Sequence, residues 1–188
     1  MIARLPIAAL ALLTVACESQ AAREAREVRE SERRGEVAAV PVKLQGRVVD
    51  QAGLLSPIVE EEIAAQSQAL ERRTTDQLVV VTLKSLNGAS IEQAGFALGN
   101  SWGLGRSDRD NGVLLLVAPN ERRVRIEVGK GLEGLLTDER AAAIVRDMTP
   151  LLAADRTDRA IKRGVTDIVT MLAADPARPR YAMVREAA

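Results

Sequence analysis

The stretch Trp102–Asp138, WGLGRSDRDNGVLLLVAPNERRVRIEVGKGLEGLLTD, decides how the rest of the chain is read. Gly112–Ala118 (GVLLLVA) is apolar throughout, as a strand covered on both faces must be. In Arg123–Gly129, Val124, Ile126 and Val128 alternate with Arg123, Arg125 and Glu127, which predicts an edge strand with one face in water. Only Pro119–Arg122 separates the two runs, and so short a link requires antiparallel neighbours. A hairpin of this kind brings its flanking segments together. The glycine-spaced acidic turn before the first strand and the glycine-spaced loop after the second therefore meet at one end of the sheet.

Upstream, helices alternate with strands. Gly46–Asp50 is a short strand candidate ending in an acid, and Ser56 is placed to cap a helix with Pro57 in its first turn. Val59, Ile63 and Leu70 recur at helical spacing, while Glu60–Glu62 lie near the positive helix end. Asp76–Leu83 (DQLVVVTL) reads as a buried central strand. Ser90 and Gln93 form a capping box opening a helix that carries Ile91, Leu98 and Trp102 on one face. Thr137 caps a further helix, expected to end before Pro150, and a last helix presents Ile161, Val165, Ile168 and Leu172. The pattern predicts an α/β fold: a three-layer α/β/α sandwich around a mixed sheet containing the hairpin.

Composition narrows the function. The 188 residues carry 26 basic and 26 acidic side chains, so no global field points to nucleic acid or an anionic membrane. One Phe, one Trp and one Tyr supply no platform for stacking bases. The chain has no histidine, which removes Ser-His-Asp and Cys-His catalysis and histidine-ligated zinc.

The single cysteine, Cys17, follows a 12-residue apolar run from Leu5 to Ala16. A helix needs about 20 such residues to cross a bilayer, so the run reads as a secretory h-region. Thr14-Val15-Ala16-Cys17 resembles a bacterial lipobox, with Thr14 where Leu is usual, which predicts acylation at Cys17. The alternative is an ordinary signal peptide. Residues 1–17 are thus a leader and 18–40 a charged tether, with five Arg and five Glu from Arg23 to Glu36 and no apolar stripe. Residues 41–173 form the domain and 174–188 a proline-broken tail without a second membrane span.

The hairpin draws Asp108, Asp110, Asn111, Glu133 and Asp138 toward one rim. Carboxylates with amide and peptide carbonyls are the ligands of a hard cation such as calcium. Each residue also has a plain structural reading: Asp110-Asn111-Gly112 as a turn, and Asp138 as a partner of the helix dipole. Gly99-Asn100-Ser101-Trp102-Gly103 spells a nucleophile elbow, but it lies at a helix end and no histidine exists to activate Ser101. Asp108–Gly112 lacks the spacing of a calcium helix-loop-helix.

Several motifs, in order, resemble the TPM domain family: Val49-Asp50-x-Ala52-x-x-Leu55-Ser56, Gln77–Thr82, Trp102-Gly103-x-Gly105, Asp110–Leu115 and Arg125–Asp138. The resemblance covers about Gly46–Leu172. It implies a compact α/β sandwich outside the cytoplasm, held near a membrane. It also implies calcium in an acidic groove, with the family's acidic positions on Asp50, Asp110 and Asp138 and with Asn111 and Glu133 nearby. For plant relatives it implies acid phosphatase activity; other members act on membrane-protein complexes. The expected protein is therefore a calcium-binding interaction module on the periplasmic side of the cell envelope, anchored by lipid on Cys17 and serving a membrane-protein complex. The alternative is a metal-assisted phosphomonoester hydrolase.

Overall fold

A computed structural model describes residues 42–174. The leader with Cys17, the charged tether and the tail from residue 175 lie outside the described residues. Four strands form one sheet in the order β1 (Val48–Asp50), β2 (Gln77–Thr82), β3 (Gly112–Ala118) and β4 (Arg123–Val128). The first three are parallel and β4 returns antiparallel to β3, Val113 facing Val128 and Ala118 facing Arg123. Every residue of β3 is buried, and β4 takes the edge.

The helices are α1 (Pro57–Thr74), α2 (Ile91–Ser101), α3 (Asp138–Ala153) and α4 (Thr157–Ala173). Among the described residues, none is long and apolar enough to cross a membrane. The expected caps are formed. Ser56 Oγ accepts the Val59 N–H and Thr137 Oγ1 that of Arg140. Ser90 and Gln93 exchange both bonds of the capping box, at 3.2 and 2.9 Å.

Alternation along the strands sorts the core into two layers. Leu78, Val80, Val113, Leu115 and Ile126 meet Ile63 and Leu70 of α1, Ile144 and Met148 of α3, and the Ile161–Leu172 stripe of α4. Val79, Val81, Leu114 and Leu116 meet Ile91, Ala94 and Leu98 of α2, with Val42 from the entering chain. Each fully buried side chain of this size contributes about 1.5–3 kcal/mol. The Trp102 indole N–H donates to the Val42 carbonyl at 2.9 Å, fixing the entering segment on the α2 face.

The strands step across the sheet in one direction, yet α1 covers one face and α2 the other. One of the two strand–helix–strand connections is therefore left-handed, against the strong right-handed preference. α2 escapes the usual geometry by lying over β3 and β4 rather than over the strand it leaves. On the opposite face, Glu62–Lys162 and Gln66–Thr166 contacts show α1 and α4 running side by side in the same direction.

Two expectations are corrected. The helix from Thr137 does not stop before Pro150 but continues to Ala153 with the proline inside it. Proline removes one hydrogen bond there, and the half-buried Leu151 and Leu152 hold the last turn against the core. The polar face of β4 is only partly open to water, through the exposed Arg123. Arg125 and Glu127 are half-buried under α2, where Gly95 leaves room for them; a Cβ there would stand 3.3 Å from Glu127 Oε2.

Ser67 of α1 is fully buried and its hydroxyl has no partner among the described residues. Removing a buried, unsatisfied hydroxyl relieves a desolvation cost. Ser67→Ala should raise unfolding stability by about 1 kcal/mol in urea titrations.

Candidate functional site

The two glycine-spaced loops do meet at the open end of the hairpin, and they meet as bare backbone. The Gly129 N–H donates to the Gly112 carbonyl at 2.8 Å, and the Gly131 N–H to the Asp110 carbonyl at 3.0 Å. A Cβ on Gly131 would overlap the Arg109 carbonyl, and one on Gly112 would lie 2.5 Å from the Leu104 carbonyl. The glycines are therefore required for close approach.

Asn111 fastens this junction. It is 3% exposed, and its Oδ1 accepts the Arg106 N–H at 2.9 Å. Its Nδ2 donates to the Thr75 carbonyl at 2.9 Å and to Asp76 Oδ1 at 3.1 Å. Asp76, 1% exposed, is a buried carboxylate that sequence reading passed over as a strand start. Asp110 occupies the left-handed region, φ 48°, and its carboxylate accepts the Lys130 N–H at 3.2 Å.

The rim carboxylates are not gathered around a common point. Asp108 is paired with Arg106 at 3.5 Å and Arg109 at 3.6 Å. Glu133 is exposed after a 3-10 turn (Lys130–Leu132), and Asp138 is exposed in the first turn of α3, where the helix dipole favours an anion. Among the described residues, no three Asp, Glu or Cys side chains form a group fit to hold a metal ion. Ser101 of the elbow-like stretch gives its hydroxyl proton to the Leu98 carbonyl at 3.1 Å, as a helical serine does.

Asp50 lies at the other end of the sheet. It pairs in register with Thr82, whereas Gly112, next to Asp110 and Asn111, pairs with Gln77. The intervening length of β2 separates the two ends by about 17 Å, at about 3.3 Å per residue. The resemblance-based grouping of Asp50 with Asp110 and Asp138 is thereby corrected. The signal was present in the sequence: Asp50 ends its strand and Asp110 precedes its own, and helical crossovers make those strands parallel.

At this second end the chain leaves β1 for one face and β2 for the other, which opens a crevice at the carboxyl ends of the strands, the usual ligand position in open α/β sheets. The cleft of about 560 Å³ that Asp50 lines lies instead along the outer edge of β1, with Lys43 and Gln45 from the entering chain, Gln51, and Glu60 from α1. The Asp50 carboxylate accepts the N–H groups of Leu54 (3.1 Å) and Leu55 (2.8 Å) and the Thr82 hydroxyl, so it also shapes the loop into α1. Glu60 stands in the first turn of α1, half-buried. Lys43, Gln45 and Glu60 were missed from sequence as site residues, because spacing along the chain does not show which segments flank β1.

A second carboxylate clamp lies between the β2–α2 loop and the β3–β4 turn. Glu121 accepts the Leu86 N–H at 2.9 Å and the Ser85 hydroxyl at 3.1 Å. The Leu86 N–H above all, then its own backbone N–H and the Ser85 hydroxyl, hold its carboxyl below the usual glutamate range against the opposing effect of burial.

The family model for the TPM domain matches residues 48–171. Among solved structures, the N-terminal domain of a protein from P. gingivalis is 35% identical, with a TM-score of 0.62 over 66% of this chain and 80% of that one. The N-terminal domain of the cg2496 protein from Corynebacterium glutamicum is 20% identical (TM-score 0.56; 74% of this chain, 89% of that one). The BA42 protein from the psychrophilic bacterium Bizionia argentinensis is 17% identical (TM-score 0.56; 63% and 81%). The last two are likenesses of fold alone. No functionally curated protein matches the chain in sequence.

Two outcomes follow from the junction and the clamp. Gly131→Ala should destabilise the domain by about 3 kcal/mol or more, since backbone must move, while Gly134→Ala, with open space around it, should stay within about 0.5 kcal/mol. Glu121→Gln should lower the melting temperature at pH 7. A depressed folded-state pKa contributes stability above the unfolded carboxyl pKa and loses it as pH falls. The gap between Glu121→Gln and wild type should therefore close in melts below about pH 4.

Proposed function

The chain belongs to the TPM domain family, and on that premise we propose that it is a membrane-tethered, envelope-side interaction module that binds calcium, and not a hydrolase. The observation that supports calcium best is the cleft along the outer edge of β1. It offers the Asp50 and Glu60 carboxylates with the Gln45 and Gln51 amides, all oxygen donors of the hard type. Only two carboxylates line the cleft, and both Asp50 oxygens already accept bonds from Leu54, Leu55 and Thr82, which argues for weak affinity, with Kd on the order of 10⁻⁴–10⁻³ M, as in extracellular modules. Calcium there would neutralise the two carboxylates and stiffen the loop into α1.

The glycine rim suits this role less. Asn111 has its amide committed to buried bonds, and Asp108 has arginines on both sides. The hydrolase alternative needs a general acid for the leaving group, and the chain has no histidine, the commonest one. Lipid on Cys17 and the charged tether supply the membrane attachment, and a membrane-protein complex in the envelope is the partner class.

Thermal melts of the full chain with millimolar calcium test the reading. Ligand at about ten times Kd stabilises the fold by about 1.4 kcal/mol. The melting temperature should rise in wild type and in Asp110→Asn and Asp138→Asn, and should not rise in Glu60→Gln. A flat wild-type response removes calcium. A response lost only with Asp110→Asn or Asp138→Asn moves the ion to the rim, and phosphomonoester turnover abolished by Asp110→Ala would restore the hydrolase.

A further inference from the structure

We propose that the free edge of β1 docks an extended segment of a partner protein that carries a Lys or Arg side chain. The inference rests on the reading of the β1 cleft as the binding place. It starts from the hydrogen-bond pattern of β1. The Val80 N–H donates to the Arg47 carbonyl at 2.9 Å, and the Gln51 N–H donates to the Thr82 carbonyl at 3.1 Å. In a parallel ladder the groups alternate, so Arg47, Val49 and Gln51 face β2. Val48 turns its N–H and C=O, and Asp50 its N–H, away from β2, while a hydrogen-bonded turn over Gln51 and Ala52 follows the Asp50 carbonyl.

Exposed strand edges are templates for pairing, and they are normally blunted by charge or covered. At the β4 edge, Arg123 is an exposed charge. At β1 the edge forms the floor of the cleft, with Lys43 and Gln45 contributing to its lining from the entering chain and Glu60 from α1. An added strand finds its main-chain partners in Val48 and Asp50, and pockets beside them select alternate side chains.

The charges choose the occupant. Asp50 and Glu60 outnumber Lys43 along the cleft, so a cationic side chain is favoured. A second copy of the chain would set the same carboxylates opposite themselves, and like charges facing across strands are unfavourable. Calcium would occupy those carboxylates too, and should compete with the cationic segment.

A displayed library of random seven-residue peptides, panned on the full chain, tests the proposal. Enriched peptides should alternate β-branched residues around at least one Lys or Arg. A synthesised winner should shift the amide resonances of Val48 and Asp50 and lose affinity when alternate amides are N-methylated, which leaves the protein untouched. Val48→Pro removes an outward N–H but no bond to β2, and with Glu60→Lys should weaken binding about tenfold each. Folding of both is checked by circular dichroism.

Absence of enrichment, or winners that bind both folded variants as tightly as wild type, would overturn the proposal. So would binding that responds to Glu60→Lys but ignores N-methylation, since that is charge contact without strand pairing. Concentration-dependent dimerisation through this edge would assign it to a second copy instead. Peptide binding retained by a chain whose melting ignores calcium would remove the calcium reading alone. A calcium response lost in Glu60→Gln, with no peptide enriched, would remove only the docking edge.

Discussion

The buried amide of Asn111 is the contact on which the sheet's assembly depends. β3 is the strand that joins the parallel half to the hairpin, and it begins immediately after this residue. One side chain ties the turn after α1, the loop after α2 and the start of β3 through bonds of 2.9–3.1 Å. Such bonds contribute most when their loss would leave buried groups unsatisfied. The glycines around it allow backbone to lie on backbone, so the junction has no side chain that could yield. That rigidity suits a fold in which one crossover runs against the preferred hand. The loop returning from α2 must deliver the chain to β3 accurately, and the Asn111 anchor fixes its end.

Much of the architecture could be read from local pattern. The unbroken apolar run of β3 identified the central strand, and the short link to β4 forced the hairpin. Hydroxyls at Ser56, Ser90 and Thr137 marked helix starts, because an unpaired first turn needs an acceptor there. The stripe Ile161–Val165–Ile168–Leu172 is buried as its spacing requires. What could not be read depended on the path of the chain in space. Periodicity reports that Arg125 and Glu127 share a face of β4; it does not report that α2 crosses above them. Nor does it reveal that α1 and α2 take opposite faces of the sheet.

The candidate site illustrates the same limit. An acidic residue beside glycines resembles a ligand whether it serves an ion or a turn. Asn111 and Asp108 turned out to be occupied by their own neighbourhood, whereas Glu60, which the chain alone presents as a helix-start acid, lines the cleft. The two ends of the sheet thus differ in kind. One is closed by backbone packing and buried amide bonds. The other carries the cleft along the outer edge of β1.

The indole of Trp102 belongs to the closed end, and it grips the Val42 carbonyl of the incoming chain. It is the only tryptophan in the sequence. The domain therefore contains an intrinsic fluorophore whose hydrogen bond exists only while that strap is seated. Emission colour distinguishes a seated lead-in from a detached one without any added label.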